Sequence, residues 1–274
     1  MSVSRIKTIV IMTLVLINII FGAVIVFDST ADARIERQVL ENTCTVLRTG
    51  GIEIDPEAII ANNAIITMRT AREDETEAMI AQAVLGQTVM TDLGVIYLYE
   101  NAQRGTAEFY SAGDFEIRLN DGVITNENGT LRTVQGLIRD MGLETSSQIV
   151  SLGQEYETVT VVGAYKGTSI FNNTTEFIFS GGSLQTIKGR YVAGVEPVEN
   201  GSGIMQTGTA LLTFLAWVRR GNAECTSIYK AEAGYLHSVS GSFGEGAISP
   251  AWLITTDTER YIVDDVTGEI WAVS

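Results

Sequence analysis

The feature that most constrains this chain is an uncharged segment of nineteen residues near its start, Ile9 to Phe27. Its only polar side chains are those of Thr13 and Asn18. Nineteen helical residues at about 1.5 Å each span roughly 28 Å, which is close to the hydrocarbon thickness of a bilayer. The segment also lacks the polar stripe of a helix that lies on a soluble core. The sequence therefore predicts a transmembrane helix over residues 9–27.

Charges on the two sides of this segment predict its orientation. Arg5 and Lys7 precede it, and aspartates follow it. Basic residues tend to stay on the cytoplasmic side, so residues 1–8 are predicted to be cytoplasmic and the rest of the chain extracytoplasmic. A cleaved signal peptide is the alternative, with Ala31-Asp32-Ala33 as its cleavage site. A secretory apolar region is only about 7 to 15 residues long, so the length favours an uncleaved single-pass anchor in the cell membrane.

The protein is strongly acidic, with a formal charge of −15. Such a surface has no electrostatic footprint for nucleic acid and would be repelled by anionic lipid head groups. Solubility explains the acidity more simply than an acidic binding function does. The roughly 245 residues after the anchor are enough for one large or two small domains.

Two cysteines, Cys44 and Cys225, are the only ones in the chain. Outside the cell they could form a disulfide that ties the membrane-proximal segment to the C-terminal part. The alternative is a pair of buried free thiols, and the sequence leaves both open. Two cysteines and one histidine, far apart in sequence, do not predict a zinc site.

Apolar residues recur at helical spacing in three segments, and a glycine ends each of them. The helices are predicted over Glu73–Leu85, Leu131–Met141 and Thr209–Arg220. A further helix is predicted after the anchor, ending at Gly50. Each of the three helices is followed by strand-like segments. This order predicts an α+β fold with helices packed on twisted antiparallel sheet.

Strand patterns and glycine turns complete the predicted architecture. The predicted strands are Gly94–Tyr99, Thr106–Ser111, Phe115–Leu119, Tyr156–Tyr165, Thr175–Phe179, Leu184–Tyr191, Ser227–Lys230, Gly234–Ser240, Ala251–Thr255, Tyr261–Val263 and Ile270–Val273. The predicted organisation after the anchor is a membrane-proximal helix and connection (28–68), a first helix-plus-strands unit (69–125) and a C-terminal region (126–274).

Catalytic chemistry is not predicted. The single histidine, His237, lies in an alternating run and has no nucleophile signature beside it, whereas a catalytic dyad needs a nucleophile, a base and an orienting group. Asp264-Asp265 before a Thr-Gly-Glu sequence is more typical of a hairpin turn than of a cation site. The chain also has no phosphate-binding glycine motif. We therefore expect neither an enzyme nor a cofactor or metal.

Within the predicted membrane helix, Asn18 lies near the bilayer centre and Gly22 follows one turn later on the same face. A carboxamide in hydrocarbon is most stable when it is bonded to a neighbouring helix, and glycine permits close approach. These two residues are the predicted contact with a partner helix. The alternative is an isolated asparagine that a sufficiently apolar segment tolerates.

Four aromatic residues in the last strands form another candidate set, namely Tyr235, Trp252, Tyr261 and Trp271. They fit either an exposed platform for a ligand or packing beneath the helices. Packing is the commoner arrangement for strand aromatics.

The last third of the chain resembles a known family. The segments Gly234-Tyr235, Ile248 to Asp257, Arg260 to Asp265 and Thr267-Gly268-Glu269 resemble the closing hairpin of PepSY-like domains, in which a Pro-x-Trp strand leads into a Tyr-containing strand and a Thr-Gly-Glu turn. The segment Gly163 to Gly167, followed by Phe171-Asn172, resembles the related earlier hairpin. With the single anchor and the overall length, the chain is similar to the YycI/YycH regulators of Firmicutes.

This resemblance implies a non-enzymatic, membrane-anchored regulator of a cell-wall sensor histidine kinase in a two-component system. Control would pass through contacts between membrane helices, often with a sister single-pass protein as partner. The alternative is an extracytoplasmic PepSY-type module that binds a peptide, a cell-wall fragment or a protease. A hydrolase is a distant third possibility because no nucleophile and base are assembled in the sequence.

Overall fold

The computed structural model describes residues 37–62, 64–127, 129–153, 156–199, 201–239 and 245–273. The chain is helical over residues 37–49 (α1). The other helices are α2 (Asp74–Leu85), α3 (Thr130–Asp140) and α4 (Thr207–Trp217), and α4 continues into a wider turn over Val218–Asn222. The predicted membrane helix, 9–27, lies outside the described residues. None of the described helices is long and apolar enough to cross a membrane.

Sixteen strands are described. In chain order, they are β1 (Glu53–Ile54), β2 (Ile59–Ile60), β3 (Met68–Thr70), β4 (Val89–Asp92), β5 (Ile96–Asn101), β6 (Gly105–Tyr110), β7 (Asp114–Leu119), β8 (Thr145–Leu152), β9 (Glu157–Tyr165), β10 (Thr168–Ser180), β11 (Ser183–Arg190), β12 (Glu196–Pro197), β13 (Ser227–Val239), β14 (Gly246–Thr256), β15 (Arg260–Asp264) and β16 (Ile270–Val273).

These strands form two sheets that meet at β10. The first sheet is antiparallel, with the order β8-β9-β10-β11-β7-β6-β5-β4. The second contains β16-β15-β14-β13 in antiparallel order, with β3 beside β14, β12 beside β3, and β1 and β2 parallel to β13. A parallel pairing of Ile170 with Tyr235 joins β10 to β13. We call the region around this pairing the seam.

The chain builds these sheets from three similar units, each a helix followed by four strands that pair in sequence order. The units are α2 with β4–β7, α3 with β8–β11, and α4 with β13–β16. Sequential antiparallel pairing requires only short turns, and the glycines predicted at these turns supply them: Gly181 and Gly182 both have positive φ between β10 and β11. The predicted α+β class, with helices on antiparallel sheet, is confirmed.

Two main cores form beneath the helices. The first lies between α2, α3 and the first sheet, with Ile80, Phe109, Val134 and Phe177 among its buried residues. The second lies between α1, α4 and the second sheet. A smaller cluster at the seam includes Ile170. The predicted boundary at residues 125 and 126 separates α2 from α3, although these two helices share the first core.

Candidate functional site at the seam

The structure separates the four aromatic residues that the sequence singled out. Trp252 and Tyr261 are buried in the second core, and Tyr235 is buried at the seam. The Trp252 indole N–H donates to the Met205 carbonyl at 3.2 Å, which fixes the segment that enters α4. These three residues therefore pack as core side chains. Trp271 is 37% exposed and is not joined with the others into one platform.

The two cysteines contribute to the same region of the fold. Cys44 on α1 is buried in the second core, and Cys225 packs against that core partly buried. Both are free thiols in the structure, which is one of the two alternatives that the sequence left open. Burial raises the pKa of Cys44, and it raises the pKa of Cys225 to about 11. Neither thiol is therefore activated as a thiolate nucleophile at neutral pH.

His237 lies on β13 at the seam and is 6% exposed. Its Nε2 is 3.4 Å from the Thr70 hydroxyl, and its Nδ1 has no hydrogen-bond partner among the described residues. Burial lowers the pKa of His237 to about 4, and the nearby charge of Arg190 acts in the same direction, partly offset by Asp114. The imidazole is therefore neutral at physiological pH.

Asn172 joins β10 to β13 beside this histidine. Its Nδ2 donates to the His237 carbonyl, and its Oδ1 accepts from the His237 amide, both at 2.8 Å. Here the hydrogen bonds between β10 and β13 are made by the Asn172 side chain instead of by the β10 backbone. At the same point the register of β10 against β9 shifts, between Ser169 and Thr174.

A buried ion pair lies near the same end of the first sheet. Glu77 on α2 is fully buried, and Arg72 donates to its two oxygens at 2.7 and 3.0 Å. The Tyr191 hydroxyl donates to Glu77 as well. Arg72 also donates to the Phe109 carbonyl at 3.2 Å and covers the ring of Tyr97 at 3.6 Å. Because its charge is paired and hydrogen-bonded, Glu77 is a structural carboxylate.

Arg190 extends this polar region towards the outer face of the first sheet. Its guanidinium makes a two-pronged contact with Asp114 at 2.8 and 3.0 Å. Asp114 and Arg190 are paired across β7 and β11. The charge of Arg190 is therefore largely neutralised by its own sheet neighbour.

A cavity of about 220 Å³ opens beside the seam, between β9, β10 and the end of α3. Its walls come from residues 141–145, from parts of β9 and β10, and from residues 190–192. Asn173 and Thr175 line it, although each is only 4% exposed. Neither side chain makes a hydrogen bond to another residue in the described part of the chain. The cavity is thus lined by two polar side chains that are not used in hydrogen bonds among the described residues.

The Asp264-Asp265 sequence forms the hairpin turn that was predicted. The Asp264 carboxylate accepts from the backbone amides of Val266 and Thr267, and Gly268 has φ +71°. Asp265 accepts from the Met205 amide at 2.6 Å, which ties this turn to the start of α4. No cluster of three potential metal ligands occurs among the residues that the structure describes.

Sequence reasoning missed the polar residues of the seam. Glu77 lies with Asp74 and Glu75 in the first turn of α2, where acidic side chains are common, and nothing in the sequence distinguishes it from these neighbours. Asn172 belongs to the segment that resembles a PepSY-like hairpin, and that resemblance gives it no role in binding. The pair Asn172-Asn173 inside a strand rich in aromatic and β-branched residues is the one local signal that points to this site.

Comparisons with known proteins bear on the fold. A crystal structure of an uncharacterized protein from Eubacterium rectale ATCC 33656 is similar with a TM-score of 0.50 and 10% sequence identity, over 81% of this chain and 90% of that one. The Bacillus megaterium YpeB C-terminal domain matches with a TM-score of 0.37 and 10% identity, over 75% of this chain and 99% of that one. No family model matches the chain, and no curated protein matches it.

The overall fold defines the structural class of this chain. It is an α+β protein of helix-plus-meander units, and it shares this overall fold with the Eubacterium rectale protein. At 10% identity the similarity is one of fold alone. The similarity to the YpeB domain is too low to support an argument about this chain.

Proposed function

We propose that this chain is a membrane-anchored, non-catalytic accessory regulator of a cell-envelope sensor histidine kinase. The proposal rests on the uncharged segment at residues 9–27 and on the resemblance to PepSY-like domains and YycI/YycH regulators. The described α+β part would be the extracytoplasmic domain. The Asn18–Gly22 face would contact a kinase helix or a sister single-pass protein.

One observation carries the proposal: α1, which follows the predicted anchor, is packed into the core of the folded domain. Leu47 and Cys44 are 0% and 1% exposed. A Cβ added to Gly208 on α4 would lie 3.0 Å from the Thr43 hydroxyl of α1, so the two helices are in close contact. Closely packed elements transmit displacement. A change in the domain can therefore bias the membrane helix, and a membrane contact can bias the domain.

The first test exchanges the two polar residues of the predicted membrane helix separately. Asn18→Leu removes the proposed contact, and Thr13→Leu is the matched control on a different face of the same helix. We expect Asn18→Leu to change kinase output in a reporter assay and Thr13→Leu to leave it unchanged, with equal amounts of protein in the membrane. Equal output from the two variants would contradict regulation through this face.

The second test identifies the partner directly. A photo-crosslinker at position 18 is activated in intact membranes, and the captured species are identified by mass spectrometry. We expect a sensor kinase or a second single-pass protein. Capture of lipid alone, with partners found on the extracytoplasmic domain instead, would contradict the proposed route.

A second function is favoured by the edge of the first sheet, namely the binding of an extended polypeptide beside β8. This strand has eight residues, carries no charge, and pairs only with β9 among the described strands. Ile149 is 51% exposed on it. An open edge without charges or proline readily accepts another strand. A peptide or protein ligand of a PepSY-type module would gain main-chain hydrogen bonds here.

Ile149→Lys tests this second function, because a lysine on an edge strand disfavours strand addition. Val89→Lys on the opposite edge strand, β4, is the matched control, since Val89 is 71% exposed. We expect Ile149→Lys alone to reduce the capture of partners from the extracytoplasmic side. Equal capture by both variants would exclude β8 as the binding edge.

A further inference from the structure

The cavity beside the seam is lined by two polar side chains that make no hydrogen bond within the described part of the chain. Asn173 and Thr175 lie two residues apart on β10, and each residue is 96% buried. Sites that bind small molecules combine apolar walls with a few polar groups of this kind. We infer that this cavity is a binding site for a small uncharged amide, held by the carboxamide of Asn173 and the hydroxyl of Thr175.

The local backbone shows how the site is built. The register of β10 against β9 shifts between Ser169 and Thr174, which separates the two strands beside the cavity. On β9, Gly163 faces the Asn173 carboxamide, and a Cβ at this position would lie 2.8 Å from Asn173 Oδ1. The glycine thus leaves room for the asparagine side chain. The bulge, the glycine and the asparagine together form a pocket with a defined polar wall.

Comparison of the two adjacent asparagines separates a structural role from a binding role. Asn172 makes two hydrogen bonds of 2.8 Å to the backbone of His237 and holds the seam. Asn173 makes none within the described part of the chain. Since the seam is already closed by Asn172, Asn173 is not required for it. An apolar residue at position 173 would avoid the free-energy cost of burying a polar group without a hydrogen bond.

The charge of the lining selects the chemical class of the ligand. The buried residues with polar side chains that line the cavity are Asn173, Thr175 and Tyr191, and all three are uncharged; Glu144, which also lines it, is exposed. Arg190 also lines the cavity, but its guanidinium is already paired with Asp114. A charged ligand would lose its hydration without gaining a buried counter-charge. A carboxamide has both a donor and an acceptor, as Asn173 does, so the two groups can satisfy each other.

The volume and the apolar walls select the size and body of the ligand. Val161, Ile170 and Leu143 are among the apolar residues that line the cavity. A cavity of about 150 Å³ is known to hold benzene, so 220 Å³ is large enough for a compact ligand of roughly ten non-hydrogen atoms. The predicted ligand is therefore an amide on a small apolar body. This inference is independent of the proposed kinase contact, which involves residues 18 and 22.

Three probes of nearly equal shape test the inference: benzamide, acetophenone and benzoate. They differ only in the group attached to the carbonyl carbon, which is an amide nitrogen, a methyl group or an anionic oxygen. Binding is measured by titration calorimetry on the full chain in lipid nanodiscs, with empty nanodiscs as the blank. We expect benzamide to bind about 10- to 100-fold more tightly than acetophenone, because the latter leaves Asn173 Oδ1 without a donor. Benzoate is expected not to bind.

Two variants distinguish a ligand-binding asparagine from a structural one. Asn173→Leu removes the unpartnered carboxamide, and we expect it to abolish the preference for benzamide while it raises the melting temperature by roughly 2 to 4 °C. Asn172→Leu is the matched control; we expect it to lower the melting temperature and to retain the preference. If Asn172→Leu does not fold, Thr175→Val provides the second binding variant, with a smaller loss of benzamide affinity.

Other outcomes would overturn the inference. Equal affinity for benzamide and acetophenone would mean that the cavity selects only an apolar shape. Failure of all three probes to bind the folded protein, with ordered water bonded to Asn173 in a crystal structure, would mean that the site only holds water. A lower melting temperature for Asn173→Leu with unchanged benzamide affinity would assign Asn173 to the fold.

Discussion

The two cores of this molecule are covered in the same way but are filled differently. In the first, α2 carries the fully buried Glu77, which is paired with Arg72. In the second, α1 and α4 cover a core of aliphatic and aromatic residues with the thiol of Cys44 and no buried charge among its described members. The first core therefore depends on a complete polar network, and the second on close packing. Removal of one polar group from the first core should therefore lower the free energy of unfolding more than a comparable truncation in the second core.

The largest loss of stability is expected from a substitution at Glu77. Glu77→Ala leaves the Arg72 guanidinium and the Tyr191 hydroxyl without their buried acceptor, so we expect the free energy of unfolding to fall by about 3–5 kcal/mol. The measurement is urea denaturation of the full chain, followed by circular dichroism. The double variant Arg72→Met/Glu77→Leu removes both charges and should recover most of the loss. A double variant as unstable as Glu77→Ala would show that the pair is not the cause.

The next effect is the pH dependence of stability that is due to His237. Its pKa is about 4 in the folded protein, whereas the ordinary value is about 6.5. A histidine with a lowered folded pKa binds more protons when unfolded, so its contribution is complete above pH 6.5 and is lost as the pH falls towards 4. The expected loss over that range is about 3 kcal/mol, since one pKa unit corresponds to about 1.4 kcal/mol.

His237→Gln isolates this contribution from that of the carboxylates, because the variant cannot be protonated at position 237. We expect its stability to fall less steeply than that of the wild type between pH 6.5 and pH 4. Urea denaturation at a series of pH values gives the difference. Parallel curves for the two proteins would mean that His237 is protonated as readily in the folded chain as in the unfolded one.

A smaller effect is expected in the second core. Trp252→Phe keeps an aromatic ring but removes the indole N–H that donates to the Met205 carbonyl. We expect a loss of about 1–3 kcal/mol from the unpaired carbonyl and the small cavity. Denaturant unfolding measures the loss. A loss as large as that of Glu77→Ala would remove the distinction between the two cores.

The sequence predicted the elements that carry an apolar pattern and missed those that do not. The helices α2, α3 and α4 follow the predicted segments within a few residues because each has a buried stripe and a glycine after it. The edge strands β4 and β8 were not predicted. Every residue of β4 is exposed, so no alternation of buried and exposed positions is available to indicate a strand.

The candidate site was not predicted either, because it depends on contacts between strands that are far apart in sequence. Asn172 differs from Asn173 because it bonds to His237, which lies 65 residues further along the chain, where β10 meets β13. The single strand β13 was predicted as two, because Ala231 and Ala233 between them give no strand signal. Long-range pairing of this kind decides which of two adjacent asparagines closes the seam and which faces the cavity. The residues next to Asn172 and Asn173 in the sequence do not indicate this pairing.

The smallest changes in stability are expected for alanine substitutions at two glycines, one in a helix over each core. Gly136 lies inside α3, and a Cβ added there would meet nothing within 4 Å. Gly208 lies inside α4, where an added Cβ would be 3.0 Å from the Thr43 hydroxyl and 3.4 Å from Val39 of α1. Gly136→Ala should therefore raise the free energy of unfolding by about 0.5–1 kcal/mol, since alanine loses less backbone entropy on folding. Gly208→Ala should lower it by about 1 kcal/mol, because α1 must move to admit the methyl group.

Thermal and urea unfolding of the two variants measure these changes, and the sign matters more than the size. Opposite signs would show that α1 is held tightly against α4 while α3 has free space on its outer side. This tight contact is also the one that would link the membrane helix to the domain. If Gly208→Ala is as well tolerated as Gly136→Ala, the contact between α1 and α4 yields without cost, and α1 can move without displacing the second core.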